Sequence, residues 1–330
     1  MLRHLYTMSF KSEFFRIILK LIAMFFMILI CDLCLSSLFQ SAFRNVGTGE
    51  LSFQHVKKKK YDILIFGASK STTNYDPKVI SKETNLSCYS LGSTGSTFLA
   101  QYPQILSILE EYSPKLIVFE LTGTDLNEGL LSYKQGRVVD RMLIHSDRKS
   151  INDLLKQVDK WHWLKSKLKT YKYTSVIADR IVELFRNKSS KFDPKLGFNP
   201  KERDPNFRFD KIDALPQAEE TDPHTYKHSP IIEKAFTDML LELRKREVHA
   251  IFLHSPNFRN MGYSIDPKIT QMIEKNGMAY YDMALELSEF DYNNYEYYSD
   301  MLHMSSEGAS VYSRQVGLFI KNLLADKTHE

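Results

Sequence analysis

Cysteine is scarce in this chain, with three in 330 residues, and the scarcity rules out a disulfide framework and a cysteine-rich zinc site. Cys31 and Cys34 fall in an apolar N-terminal stretch, so Cys88 stands alone in the body and reads as a small buried hydrophobe. With 13 glycines and 11 prolines, neither collagen-like nor low-complexity sequence is present. No internal repeat is evident. Charge of one sign is also missing: 44 basic against 40 acidic residues leave a net +4, and apart from one run at 57–60 the lysines are scattered. That distribution makes no nucleic-acid face. What remains, 43% hydrophobic and 25% charged, is ordinary globular composition, and the length suffices for one large α/β domain carrying an insertion.

One long hydrophobic run breaks this pattern. Phe14 to Phe39 reads FFRIILKLIAMFFMILICDLCLSSLF, with an uninterrupted apolar block from Leu21 to Cys31. That block alone is too short for a bilayer, which needs roughly 20 residues, but extension to Ile17 and Phe39 reaches the length and takes in Lys20 and Asp32. Lys20 can snorkel, whereas Asp32 must find a partner or lie near a membrane surface. Arg3, Lys11, Arg16 and Lys20 precede the block and favour a cytoplasmic N-terminus. The expectation is an uncleaved anchor over 1–44, a linker over 45–60 whose lysines form a solvated approach, and an outward-facing domain over 61–330. The block also has the length of a signal-peptide core followed by the small residues Ser41 and Ala42, which is the alternative reading.

The body alternates strands and helices. Strands are predicted at the start of Tyr61–Thr73 (YDILIFGASKSTT), at Leu86–Leu91, Lys115–Glu120, His249–His254 and Met278–Asp282. Helices are predicted at Pro77–Lys82, Phe98–Tyr112, Pro230–Arg246, Pro267–Asn276 and Ser306–Leu324. Such alternation predicts a parallel sheet covered on both faces. The pattern lapses over about 128–228, an insertion with helical stretches around Ile151–Leu168 and Ser175–Phe185 and a proline-rich loop. Its aromatic and basic residues, Trp161, Trp163, Tyr171, Tyr173, Phe207 and Arg208, read either as packing onto the core or as a carbohydrate platform.

Functional residues in parallel α/β folds gather at the carboxyl ends of strands. Ser69 follows the first strand in a Gly-Ala-Ser turn, and Asp300 and His303 stand three apart in DMLH before the last helix. A serine hydroxyl is barely ionised near neutral pH, so it needs a base held in one tautomer by a carboxylate. The turns after the second and third strands offer oxyanion donors, through the backbone at Gly95 and the hydroxyl of Thr124.

Taken together these blocks resemble the SGNH (GDSL) hydrolase superfamily. GAS at 67–69, STGST at 93–97, TGTD at 122–125 and DMLH at 300–303 follow that family's order and spacing. The sequence departs from the family at three places: Ala68 stands for an Asp, Thr122 for a Gly, and Thr124 for the oxyanion-hole Asn. The resemblance implies a three-layer α/β/α sandwich with a five-stranded parallel sheet, SGNH or flavodoxin-like. It also implies Ser69 as nucleophile, His303 as base, Asp300 as its orienting carboxylate, and Ser69, Gly95 and Thr124 as the oxyanion hole, with no cofactor and no metal. With the anchor it further implies an esterase or O-acetyltransferase on an acylated glycan or cell-envelope polymer, working beside a membrane-bound O-acyltransferase. A non-catalytic binding or assembly subunit is the alternative, favoured by Thr124. A general lipase lacks support, because the insertion offers no long apolar lid.

Overall fold

The computed structural model describes residues 2–43, 50–123, 125–127, 135–173, 195–204, 207, 227–260 and 265–326. Thr124 and the expected helix around Ser175–Phe185 lie outside the described residues. The elements are α1 (Leu2–Phe43), α2 (Glu50–Lys59), β1 (Ile63–Gly67), α3 (Ser69–Thr73), α4 (Pro77–Thr84), β2 (Cys88–Ser90), α5 (Phe98–Glu111) and β3 (Leu116–Glu120). There follow α6 (Gln135–Ile144), α7 (Lys149–Val158), α8 (Lys160–Lys165), a 3-10 turn (Thr170–Tyr173), α9 (Pro230–Lys245), β4 (Ala250–His254), α10 (Pro267–Lys275), β5 (Ala279–Asp282), α11 (Met283–Glu286) and α12 (Ser306–Asp326).

The five strands form one parallel sheet in the order β2-β1-β3-β4-β5, so the expected fold is the observed one. Strand order reverses at β1, and the crevice at the ends of β1 and β3 is the topological switch point. The apolar runs in β1, β3 and β4 send alternate residues to opposite faces. Leu64, Phe66, Ile117, Phe119 and Phe252 join one core with α5, α9 and α10, while Ile63, Ile65, Val118, Ile251 and Leu253 join the other with α4 and α12. Asp76, Ser229 and Asp266 cap α4, α9 and α10 through their side chains, each just before a proline at the helix start.

Two segments differ from the sequence reading. Residues 50–59, expected as linker, form α2, which buries Phe53 and Val56 in the first core and sets Lys57 2.7 Å from Glu111. The lysines after it, Lys58 to Lys60, are exposed as expected. In the insertion, α6 had no counterpart in the reading, and the stretch at 151–168 divides into α7 and α8 at Asp159, whose side chain caps the second helix.

The N-terminal helix is long and apolar enough over Glu13–Phe39 to cross a membrane. Its apolar side chains are exposed along nearly the whole stretch.

The sheet's middle carries a ladder of aromatic rings, Phe66 to Phe119 at 5.8 Å and Phe119 to Phe252 at 4.8 Å, closed by Phe236 of α9 at 5.9 Å from Phe252. Phe252 is fully buried and its ring touches two others. Phe252→Ala should therefore cost about 3–5 kcal/mol, read as a lower denaturant midpoint in chemical unfolding; a loss under about 1 kcal/mol would contradict this packing.

Candidate active site

β1 ends at Gly67, paired with Glu120 at the end of β3. Gly67 has φ +149°, and a Cβ there would lie 2.8 Å from the Glu120 Cβ and 2.9 Å from that of Ser71. Only glycine lets the two strand ends approach so closely before the chain turns. Ala68 and Ser69 follow, and Ser69 opens α3, whose hydroxyls bond back to the turn: Ser71 donates to the Ala68 carbonyl, and Thr72 and Thr73 to that of Ser69.

Ser69 meets the residues expected of it. Its Oγ lies 2.7 Å from Nε2 of His303, 234 residues away. The other ring nitrogen, Nδ1, lies 2.9 and 2.8 Å from the two carboxylate oxygens of Asp300. With Nδ1–H donating to Asp300, Nε2 is left to accept the Ser69 proton. Asp300 is itself fixed, because its Oδ1 accepts the backbone N–H of Leu302 and of His303, each at 2.9 Å. Burial acts to raise its pKa, but the bonds from His303 and from these backbone donors outweigh it and hold the carboxyl well below the usual carboxylate range. Asp300 is thus an anion throughout the range in which a histidine base operates.

Of the expected oxyanion donors, Gly95 occupies a turn with φ +69°, in the left-handed region that suits glycine. That turn is tied to the nucleophile's strand by Ser93 N–H donating to the Gly67 carbonyl at 3.1 Å. The third turn is closed by Asp125, whose carboxylate accepts the Thr122 N–H at 2.7 Å. A small pocket of about 20 Å³ lies against the nucleophile turn, lined by Gly67, Ala68, Ser96, Phe98, Leu121 and Asp125 among others.

Several residues outside the sequence reading hold this arrangement. Lys70, next to Ser69, is buried with its Nζ 2.6 Å from the Ser255 carbonyl and 3.4 Å from Glu120. Glu120 is wholly enclosed and also accepts from the hydroxyls of Tyr75 at 2.5 Å and Ser255 at 2.6 Å. Burial lowers the pKa of Lys70, opposed by the charge of Glu120, and raises that of Tyr75 well above its ordinary value, so the phenol remains a donor. Asn74 joins this cluster to the segment that carries His303: its Nδ2 donates to Ser255 Oγ at 3.0 Å and its Oδ1 accepts the Met304 N–H, one residue past His303, at 3.0 Å. Lys201, on the return of the insertion, reaches 3.3 Å from Asp300 Oδ2. The signals for Lys70 and Asn74 lay in the same YDILIFGASKSTT turn and its continuation, where a lysine and an asparagine amid hydroxyls look like ordinary loop polarity. Among the described residues no group of histidines, cysteines or carboxylates could hold a metal ion.

No protein-family model and no curated protein matches this chain. Among solved structures it is similar to a candidate acylhydrolase of Bacteroides fragilis NCTC 9343, with 12% identity over 79% of this chain and 87% of that one and a TM-score of 0.34. A likeness at that level says nothing of substrate or mechanism.

Two outcomes follow from the supporting residues. Asn74→Ala leaves the Met304 N–H and Ser255 hydroxyl without their partner. It should destabilise the protein by about 1–3 kcal/mol and slow covalent modification of Ser69 by on the order of tenfold, measured with an active-site serine probe. Unchanged modification would show that Asn74 does not position the base.

The second outcome concerns His254, buried at the end of β4, with Nδ1 3.4 Å from the Leu121 carbonyl. Burial and the Lys70 charge depress its pKa to about 3. The unfolded chain takes up a proton on this residue near pH 6.5 and the folded chain only near 3, so stability present above about pH 6.5 is lost as pH falls between those values. His254→Gln should remove about 2 kcal/mol of the stability lost between about pH 7 and pH 5, measured by urea unfolding at each pH. Identical pH profiles would contradict a neutral buried His254.

Proposed function

We propose that this protein is a membrane-anchored serine acyl-transfer enzyme of SGNH type, an esterase or O-acetyltransferase acting on an extracytoplasmic glycan. The observation that carries the reading is the continuous hydrogen-bonded line from Ser69 Oγ through the His303 ring to Asp300. Ser69 Oγ attacks the acyl carbonyl carbon while His303 Nε2 takes the hydroxyl proton, and the carbonyl oxygen becomes an oxyanion. The imidazolium is stabilised by the ionised Asp300. Collapse of the tetrahedral intermediate expels the alcohol, which leaves with the proton from His303, and the acyl group stays on Ser69. Water or a sugar hydroxyl then gives its proton to His303, attacks the acyl-serine, and regenerates the free Ser69.

The backbone N–H groups of Ser69 and Gly95 and the hydroxyl of Thr124 are the donors assigned to the oxyanion. A hydroxyl in place of a carboxamide weakens such a hole, and loss of one donor is worth about 2.7–4 kcal/mol. Thr124→Asn should raise turnover. A small pocket of about 20 Å³ lies beside the turn that carries Ser69, lined by Gly67 and Ala68, and this reading assigns it a short acyl group such as acetyl. A membrane-bound O-acyltransferase is the partner this reading supplies, as the source of acyl groups on the outer side, with the helix over Glu13–Phe39 as the anchor.

The full chain, purified in detergent, should be labelled by a fluorophosphonate probe, and Ser69→Ala and His303→Ala should each abolish labelling. On aryl esters, acetate should be turned over at least tenfold faster than hexanoate. A folded wild type that takes no label would sink the catalytic reading in favour of a binding or assembly subunit. Equal rates on both esters would sink the acetyl assignment alone.

A further inference from the structure

The insertion exposes apolar and basic side chains where α1 meets the body. Over residues 13–39 of α1, Leu29, Asp32, Ser36 and Phe39 are the residues withdrawn from solvent, one helical face, and the residues between them are exposed. That face meets the 3-10 turn Thr170–Tyr173. The Asp32 carboxylate accepts the Lys169 N–H and the Thr170 N–H, each at 2.8 Å, and Thr170 Oγ1 donates to the Asp32 carbonyl at 3.1 Å. The one acid within the apolar stretch therefore caps a turn of the insertion. A carboxylate bonded to the body in this way is drawn out of the hydrocarbon to its boundary. Residues 14–31 then remain to cross it, about 27 Å of helix, close to the hydrocarbon thickness.

Residues 160–169 lead directly into that turn. Trp161 is 73% exposed, Leu164 53% and Leu168 43%, a density of bare apolar side chains unlike the rest of the body among the described residues. Lys160, Lys165, Lys167 and Lys169 are exposed among them. Trp163, by contrast, is partly withdrawn against the first core, with its Nε1 donating to Asn152 at 2.7 Å and the ammonium groups of Lys167 and Lys156 4.6 and 4.9 Å from its ring. Packing on the core thus accounts for Trp163 and leaves Trp161 without a role in it.

We propose that α8 and residues 166–169 form a second membrane contact. In it Trp161, Leu164 and Leu168 enter the headgroup layer around α1, and the four lysines rest on anionic lipid phosphates. The proposal rests on the reading of α1 as a membrane span. Continuity with α1 identifies the occupant as lipid: Asp32 fixes Lys169 at the level where the span leaves the bilayer, and Leu168 is the next residue along the chain. The composition agrees, since an indole beside aliphatic side chains and lysines suits the membrane interface, where basic residues gain from anionic lipid.

The full chain would be reconstituted at one copy per nanodisc, in phosphatidylcholine with phosphatidylglycerol, with plain or brominated acyl chains. Trp161 and Trp163 are the two tryptophans in the sequence, so their emission reads the two positions. Bromine should quench wild type strongly, and Trp161→Phe should abolish most of that quenching. Exchange of the four lysines to Gln should reduce it in discs with phosphatidylglycerol and not in phosphatidylcholine alone. Equal emission from plain and brominated discs, with the protein incorporated, would overturn the second contact while leaving the anchor intact. The same would hold if shielding of Trp161 required two copies per disc, which would assign the face to a second chain. Failure of the protein to incorporate would instead overturn the anchor, and the second contact with it.

Discussion

Everything at the sheet's carboxyl edge depends on the Glu120 carboxylate being buried. A carboxylate enclosed this fully is tolerable only if its charge is matched and its lone pairs are filled. Lys70 supplies the charge, and Ser255 and Tyr75 fill the oxygens. These partners come from α3, which Ser69 opens, the segment after it and the turn after β4, so satisfying one carboxylate fixes three segments relative to β3. Ion pairs of this kind return little net stability after desolvation, and their effect lies in which elements they force together. Here they force Ser69 to the point where β1 and β3 diverge.

From that hub the constraint passes to His303 by one short step. Ser255 Oγ accepts from Asn74, and Asn74 accepts from the backbone immediately after His303. The loop bearing Asp300 and His303 has no regular secondary structure between the 3-10 turn Tyr295–Tyr297 and α12, so it cannot borrow rigidity from a helix or strand. It is held by hydrogen bonds along its length instead. Phe258 donates to the Met301 carbonyl at 3.1 Å, Ser305 to that of Tyr297 at 2.9 Å, and Asp300 folds back on the amides of Leu302 and His303. The contact of Ser69 with His303 across 234 residues is thus held by backbone hydrogen bonds and one asparagine.

Much of this was legible in the sequence, for reasons that differ by element. The apolar runs of β1, β3 and β4 are buried on both faces, so they stand out as runs, and the strand ends fall within one or two residues of the reading. Ser69, Asp300 and His303 were legible because a strand-end turn and an Asp-x-x-His spacing are local patterns. The hub was not, since Lys70 and Glu120 are 50 positions apart and each alone looks like the polar end of an element. α2 was hidden by four consecutive lysines, which swamp the signal of Phe53 and Val56. α6 was hidden because the insertion lacks the strand-helix alternation that organised the rest. Lys201 approaches Asp300 only through the path of the insertion, which no local pattern reveals.

That path joins the two ends of the molecule's chemistry. On its way out the insertion places Thr170 under the carboxylate of Asp32. On its way back Leu196 accepts the Ser90 N–H along the edge of β2, Asn199 donates to Thr72 in α3, and Lys201 faces Asp300. Gly197 is required for this passage, since at φ +85° a Cβ would lie 1.9 Å from the Ser90 carbonyl oxygen. α2 adds a separate attachment, by packing Phe53 and Val56 into the core close after α1. The body is therefore joined to its N-terminal helix through the chain and again through the Asp32 cap. Two attachments instead of one limit how far the cluster of Ser69, His303 and Asp300 can move relative to that helix, because groups held at a fixed height sample fewer positions than groups on a free tether.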